Sequence, residues 1–315
     1  MDILSSIIKI LANGAVFFFF IGLLIMLIAK SLKKPSGKNA KIFSYSKQKN
    51  NLVSKISNIS SRKVKIKKAA KKNAILFVID FVSDVNASNV DILEKQIDAI
   101  LSLSKKGDEV MVKVFTPGGA VYAYGLAYSQ LNRIKEKGLK LYVAVDKVAA
   151  SGGYLMACVA DEIMAAPFAI LGSIGVVAQI PNFRRWLNDN KIDIEEHTAG
   201  KYKRTITPLG EITEEGRRKF KESLSDIHNR FKEVVQTNRP NLDIEKVAQG
   251  EHWLGLDAHK LGLVDTIKTS ATFLDHKSET FEVLIIDNKP YKSFSEKLMT
   301  KAFGILNMNP KNLFT

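Results

Sequence analysis

Cysteine is nearly absent from the 315-residue chain. Cys158 stands alone, which excludes an intrachain disulfide and leaves too few thiolates for a cysteine-built zinc site. The five histidines show no HxxxH spacing, so nothing local supports a metal centre. The phosphate-cradling signatures GxxxxGK[ST] and GxGxxG are missing as well. Acidic residues are wholly absent from Lys30 to Lys72, where fifteen of the 47 lysines and arginines lie. The remainder is balanced, 32 basic against 32 acidic, so the net charge of +15 belongs to one segment and not to a basic fold. Only Phe43 and Tyr45 interleave with those lysines, too little stacking surface to favour nucleic acid.

Long apolar runs are also scarce, with one exception. Ile10 to Ala29 is an uncharged run of 20 residues between Lys9 and Lys30. At about 1.5 Å per residue it spans roughly 30 Å, the thickness of a bilayer's hydrocarbon core. It reads as a transmembrane helix; a cleaved signal peptide would have a shorter apolar region and a small-x-small site. The expected organisation is an anchor over 1–32, a basic juxtamembrane linker over 33–73, a catalytic domain over 74–285 and a C-terminal tail over 286–315. Residues 10–29 and the linker would contact membrane lipid, the lysines binding anionic headgroups. Seven lysines follow the span within twenty residues and one precedes it, which by the positive-inside rule puts the domain in the cytoplasm.

From Asn73 onward strand and helix patterns alternate. The runs AILFVID (74–80), VMVKVF (110–115) and LYVAVD (141–146) begin about thirty residues apart, the length of a βαβ unit. Between them Val90, Leu93, Ile97 and Ile100, then Tyr124, Tyr128, Leu131 and Ile134, fall at helical spacing. The class is α/β with parallel strands. Phe220, Leu224, Ile227, Phe231 and Val234 mark a long helix that Thr213 caps, assigned to packing alone. FAILGSIGVVAQ (168–179) is strand-like but broken by glycines, VLIIDN (283–288) reads as a last strand, and 295–306 reads as an amphipathic helix.

Two glycine-rich turns follow strands, FTPGGAV (115–121) and KVAASGGY (147–154). Turns of this kind lie at the carboxyl edge of a parallel sheet, where ligands bind. Either they are packing devices, or Ser151 is a nucleophile whose oxyanion meets the amides of Gly152 and of Gly118 or Gly119. A nucleophilic serine needs a base, histidine or a neutral lysine, and residue chemistry does not choose between them; Lys147 and Lys203 compete with other lysines.

Taken in order, TPGG, ASGGY, GSIGV, GKYK and GEHWLGLDAHKLGLVD (250–265) resemble the signal-peptide-peptidase A family of serine proteases, and most closely its membrane-anchored single-domain members of the SohB type. The likeness runs from about residue 74 to 270. It implies a ClpP/crotonase-like spiral of ββα units behind an N-terminal transmembrane helix, in a single-pass protein of the bacterial inner membrane. It implies a dyad of Ser151 and Lys203, Ser173 orienting the lysine, and an oxyanion hole from Gly118, Gly119 and Gly152; Thr116 stands where relatives more often carry serine. No metal or other cofactor is implied. Ile174, Gly175 and Val176 would hold an extended peptide or unfolded-protein substrate as an added strand. Relatives form rings or domes that share active sites, so a homo-oligomer is expected. They are usually described with the protease domain outside the cytoplasm, against the charge rule. Two other classes compete: a membrane-tethered scaffold holding peptides in an inert cleft, and an acyl-CoA enzyme of the same fold.

Overall fold

Three apolar runs form the middle of one sheet in the computed structural model, which describes residues 41–59 and 72–287. They are β2 (Ile75–Val82), β3 (Glu109–Phe115) and β4 (Lys140–Val145), paired in parallel with Met111 opposite both Val78 and Tyr142. Both faces of these strands are buried, which is why they read as unbroken apolar runs and not as alternating ones. One face, with Ile79, Val112 and Val143, is covered by Leu93, Ile97 and Ile100 of α2 (Val90–Leu103) and by Leu131 and Ile134 of α3 (Val121–Glu136). The other, with Val78, Met111 and Tyr142, packs on Phe273 and Leu274 of α9 (Ser270–Thr280). Cutting a fully buried side chain such as Ile97 back to alanine would cost about 2–5 kcal/mol.

The sheet has seven strands in the order β1-β10-β2-β3-β4-β6-β9, where β6 is Glu162–Ala165, β9 Thr266–Ile267 and β10 Glu282–Asp287. All are parallel except β1 (Lys41–Ser44), which runs antiparallel along β10. Part of the stretch read as linker is therefore folded: β1 continues into α1 (Tyr45–Ile59), and Tyr45 Oη and Lys49 Nζ both donate to Asp275 Oδ1, at 2.7 and 2.6 Å. Edge pairing works through backbone groups, so it needs none of the side-chain periodicity whose absence suggested a linker.

A second sheet, in the order β5-β7-β8, combines β5 (Val148–Ala150), β7 (Ile170–Gly172) and β8 (His252–Leu254). Main-sheet strands β4 and β6 are each followed, within a few residues, by one of its strands, and β5 leads directly into the short helix α4 (Gly152–Ala157). The chain beyond β3 joins it too, Thr116 bridging to Ala149. The second half of the 250–265 motif is scaffold. Asp265 accepts the Ile163 amide at 2.7 Å and takes two bonds from Arg239, at 2.9 and 2.6 Å. The segment 168–179 forms only β7, because the chain turns at Gly172 (φ 90°) and at Ser173 (φ 52°).

The expected membrane span at 10–29 and the amphipathic helix at 295–306 lie outside the described residues. Among those described, no helix is long and apolar enough to cross a membrane.

Candidate active site

Ser151 occupies the turn from β5 into α4. The parallel register pairs Ala150 with Gly172, and the Ser151 amide then donates to the Gly172 carbonyl at 2.8 Å. Its backbone sits at φ 51°, ψ −117°, a region that non-glycine residues avoid at about 1–3 kcal/mol, so surrounding structure must hold it there. A tight strand-to-helix turn of this kind lifts the hydroxyl out of the sheet edge. The two glycines that follow do serve packing. A Cβ on Gly152 would lie 2.4 Å from the Tyr124 ring, and one on Gly153 2.8 Å from the Thr116 methyl. The packing reading of the ASGGY turn therefore holds for its glycines, while its serine lines a cleft.

The TPGG turn lies against it. A Cβ on Gly118 (φ 83°) would fall 2.5 Å from the Ala150 carbonyl oxygen, 2.6 Å from the Gly152 nitrogen and 2.8 Å from the Ser151 Cβ. The Gly118 amide is already engaged, donating to Thr116 Oγ1 at 3.1 Å. Among the described residues the amides of Gly119 and Gly152 have no acceptor, which makes these two the available donors for a developing oxyanion.

Behind the turn runs a polar chain that sequence reasoning missed. Tyr124 Oη donates to the Asp84 carbonyl at 2.5 Å and also contacts Thr116 Oγ1. With the phenolic proton committed to Asp84, the Thr116 hydroxyl donates to Tyr124 while accepting from Gly118. Both side chains are fully buried. Burial first, and the Asp84 carboxylate with it, raise the Tyr124 pKa against the opposing Thr116 bond, so the phenol keeps its proton. The helical spacing of Tyr124 was legible, but its partners lie 8 and 40 residues away in sequence.

Ser151, Gly118, Gly119, Gly152, Ser173, Gly175 and Val176 all line one cleft of about 1120 Å³. The Ser173 amide is held by the Glu251 carbonyl at 2.6 Å, a role for the first half of the 250–265 motif. Ile174 departs from expectation: its side chain is fully buried in the core, and its carbonyl accepts from His228 Nε2 at 3.2 Å. The long helix α6 (Glu214–Asn238), capped by the Thr213 hydroxyl at 3.0 Å from the Gly216 amide, does more than pack. Ile227, His228, Phe231 and Val234 form one wall of the cleft. An apolar helix face reads the same in sequence whether it meets core or cavity.

Lys203 is not brought to Ser151 within the protomer. It is exposed, and no lysine is among the cleft-lining residues. Its neighbours tie the GKYK turn to the start of α6, Lys201 and Tyr202 reaching Glu215 at 2.7 and 3.0 Å. The bond to Glu215 raises the Lys201 pKa, which keeps that lysine charged and unfit as a base. Lys147 lies over the Phe115 ring at 5.3 Å. Cys158 is buried, and burial pushes its thiol up to about 12.

Comparison with known proteins agrees with the resemblance carried by the motifs. The model for Peptidase family S49 matches residues 133–283, and that for Peptidase family S49 N-terminal matches residues 2–131. Over 231 residues the chain is 51% identical to a "Probable protease SohB" of Haemophilus influenzae, covering 73% of this chain and 65% of that protein. A "Probable protease SohB" of Buchnera aphidicola subsp. Acyrthosiphon pisum is 53% identical over 211 residues, 67% of this chain and 63% of the relative. "Protease 4" of Haemophilus influenzae is 29% identical over 162 residues, half of this chain and 26% of that protein. The matched region thus spans slightly less than two thirds of the length of the two SohB relatives.

Proposed function

Because the chain belongs to peptidase family S49, we propose that it is a serine endopeptidase of the bacterial inner membrane, anchored by one pass at residues 10–29. The dyad is Ser151 and Lys203, and the substrates are unfolded or apolar peptides, signal-peptide remnants among them. The observation that carries this reading is Ser151 on its strained turn, facing a cleft beside the unengaged amides of Gly119 and Gly152. The succession β4-β5-α4 supports a ClpP/crotonase-like spiral.

The reaction is acyl transfer. An extended peptide lies along residues 175–177 as an added strand, its scissile carbonyl over Ser151. Lys203, acting as a neutral amine, takes the Ser151 proton as Oγ attacks. Gly119 and Gly152 hold the oxyanion, a contribution of about 10²–10³ in rate per donor. The lysinium then protonates the leaving amine, and water, activated by the same amine, cleaves the acyl-enzyme. Since Lys203 lies outside the cleft of its own protomer, the reading requires a second copy to supply it, with Ser173 orienting the incoming amine. Homo-oligomers are therefore part of the proposal.

Ser151→Ala and Lys203→Ala should each abolish cleavage of an unfolded protein while the circular dichroism spectrum stays that of wild type; full activity in either variant sinks the assignment. The exposed position of Lys203 also favours a second reading, a scaffold that binds peptides without cutting them. It predicts no cleavage by wild type and a peptide affinity unchanged in Ser151→Ala.

A further inference from the structure

The row of α3 that faces the cleft is Val121, Tyr124, Gly125 and Tyr128, at helical spacing i, i+3, i+4 and i+7. Gly125 alone in that row has no side chain, and a glycine inside a helix is unfavourable relative to alanine. The glycines around Ser151 have a steric reason, since a Cβ on Gly118, Gly119, Gly152 or Gly153 would meet other atoms at 2.0–2.8 Å. Gly125 has none: its φ is negative, and a Cβ there would meet nothing within 4 Å. What adjoins it is open cleft.

Apolar side chains make up much of the cleft lining, beside the polar Asp226, His228, Arg230 and Gln249. Leu155 lies one helical turn beyond Ser151 on α4, its amide bonded to the Ser151 carbonyl at 3.0 Å. Phe231 and Val234 line the same cleft from α6. At the far end Tyr128 Oη accepts from Asn238 Nδ2 at 3.4 Å, joining α3 to α6. We propose that Gly125 is a specificity-determining residue: it opens a subsite that takes a large apolar side chain, phenylalanine or leucine, on the acyl side of the scissile bond. The position of Leu155 directly beyond the nucleophile points to that side chain as the occupant. The proposal rests on the peptidase reading and deepens it.

The test uses the full chain and two fluorogenic peptides that differ only in Phe or Ala before the scissile bond. Wild type should prefer the Phe peptide. In Gly125→Leu the Phe-to-Ala ratio of kcat/KM should fall at least about tenfold, the scale on which filling an apolar pocket discriminates. Gly125→Ala should lower the ratio to an intermediate value, and it reads the same quantity if the leucine variant does not fold. An unchanged ratio in a folded variant, or no preference in wild type, overturns the proposal. So does a Gly125→Leu variant whose oligomeric state shifts by light scattering with the ratio fixed, since the space would then belong to a second copy. If wild type cuts neither peptide, the peptidase reading fails while the subsite is still tested. Phe-peptide anisotropy should then show binding to Ser151→Ala at least about tenfold tighter than to Ser151→Ala/Gly125→Leu. Equal affinities would sink it.

Discussion

Gly118 and Gly152 approach so closely that a side chain on the first would lie 2.6 Å from the amide nitrogen of the second. That contact brings together two turns that are separate in sequence, at the place proposed for the oxyanion hole. It also fixes what a single methyl would do. In Gly118→Ala the added carbon meets the Ala150 carbonyl oxygen, the Gly152 nitrogen and the Ser151 Cβ, none of which is the end of a flexible side chain. The expected loss in kcat is at least about 10², the scale of losing an oxyanion donor. Gly138→Ala is the control. Its φ of 78° is equally unsuited to alanine, but a Cβ there meets nothing within 4 Å, so stability should fall by about 1–2 kcal/mol with kcat unchanged. Comparable losses of kcat in both variants would mean that backbone strain, not obstruction of the site, is responsible.

The chain from Gly118 through Thr116 and Tyr124 to Asp84 predicts a positioning role for a fully buried phenol. Tyr124→Phe leaves a buried hydroxyl and a carbonyl short of a partner, at about 1–3 kcal/mol of stability. It also frees the Thr116 hydroxyl that holds the turn. We expect kcat to fall about tenfold with KM little changed, less than the 10²–10³ of a lost donor. Thr116→Val should act through the same chain, so the double variant should be scarcely slower than either single one. Additive losses would separate the two residues and end the argument.

Much of this architecture was legible in sequence, and the exceptions share a cause. The central strands and α2, α3 and α6 follow from apolar runs and helical spacing, which report burial on one chain segment at a time. The Ser151 and Gly118 turns were legible because glycine and serine in fixed order have few conformational explanations. Legibility failed where a role depends on a distant partner. Lys41–Ser44 becomes a strand because β10 offers an edge. Ile174 points into the core because the chain turns at Gly172 and Ser173 and ends β7, so its side chain is not free to hold substrate as expected with Gly175 and Val176.

Asp84 makes the loop after β2 sensitive to acid. Its carboxylate is held below the usual range, first by the Ser88 amide, then by the Ser88 hydroxyl, and its carbonyl is the end of the Tyr124 chain. A group with a depressed pKa stabilises the fold fully above its unfolded value, about 3.9, and ceases to do so as pH falls through the lower folded value. The gap in urea midpoint between wild type and Asp84→Ala should therefore be constant above pH about 5 and narrow below pH about 4. A gap independent of pH from 7 to 3 would show that the ionised carboxylate contributes nothing.

The exposed Lys203 and the cleft-bound Ser151 carry the sharpest expectation. If the base comes from a neighbour, Ser151→Ala and Lys203→Ala damage different halves of each composite site. Each variant alone is inactive, but a mixed oligomer contains some sites with an intact serine from one copy and an intact lysine from the next. Random mixing in a closed ring gives on the order of a quarter of wild-type activity, since each half is intact at half of the positions. Co-expression with two affinity tags, followed by sequential purification and a peptide-cleavage assay, reads this directly. Doubly tagged oligomers that stay inactive would mean that the dyad closes within one protomer, and segment 176–212 would then have to swing inward to bring Lys203 to its own Ser151.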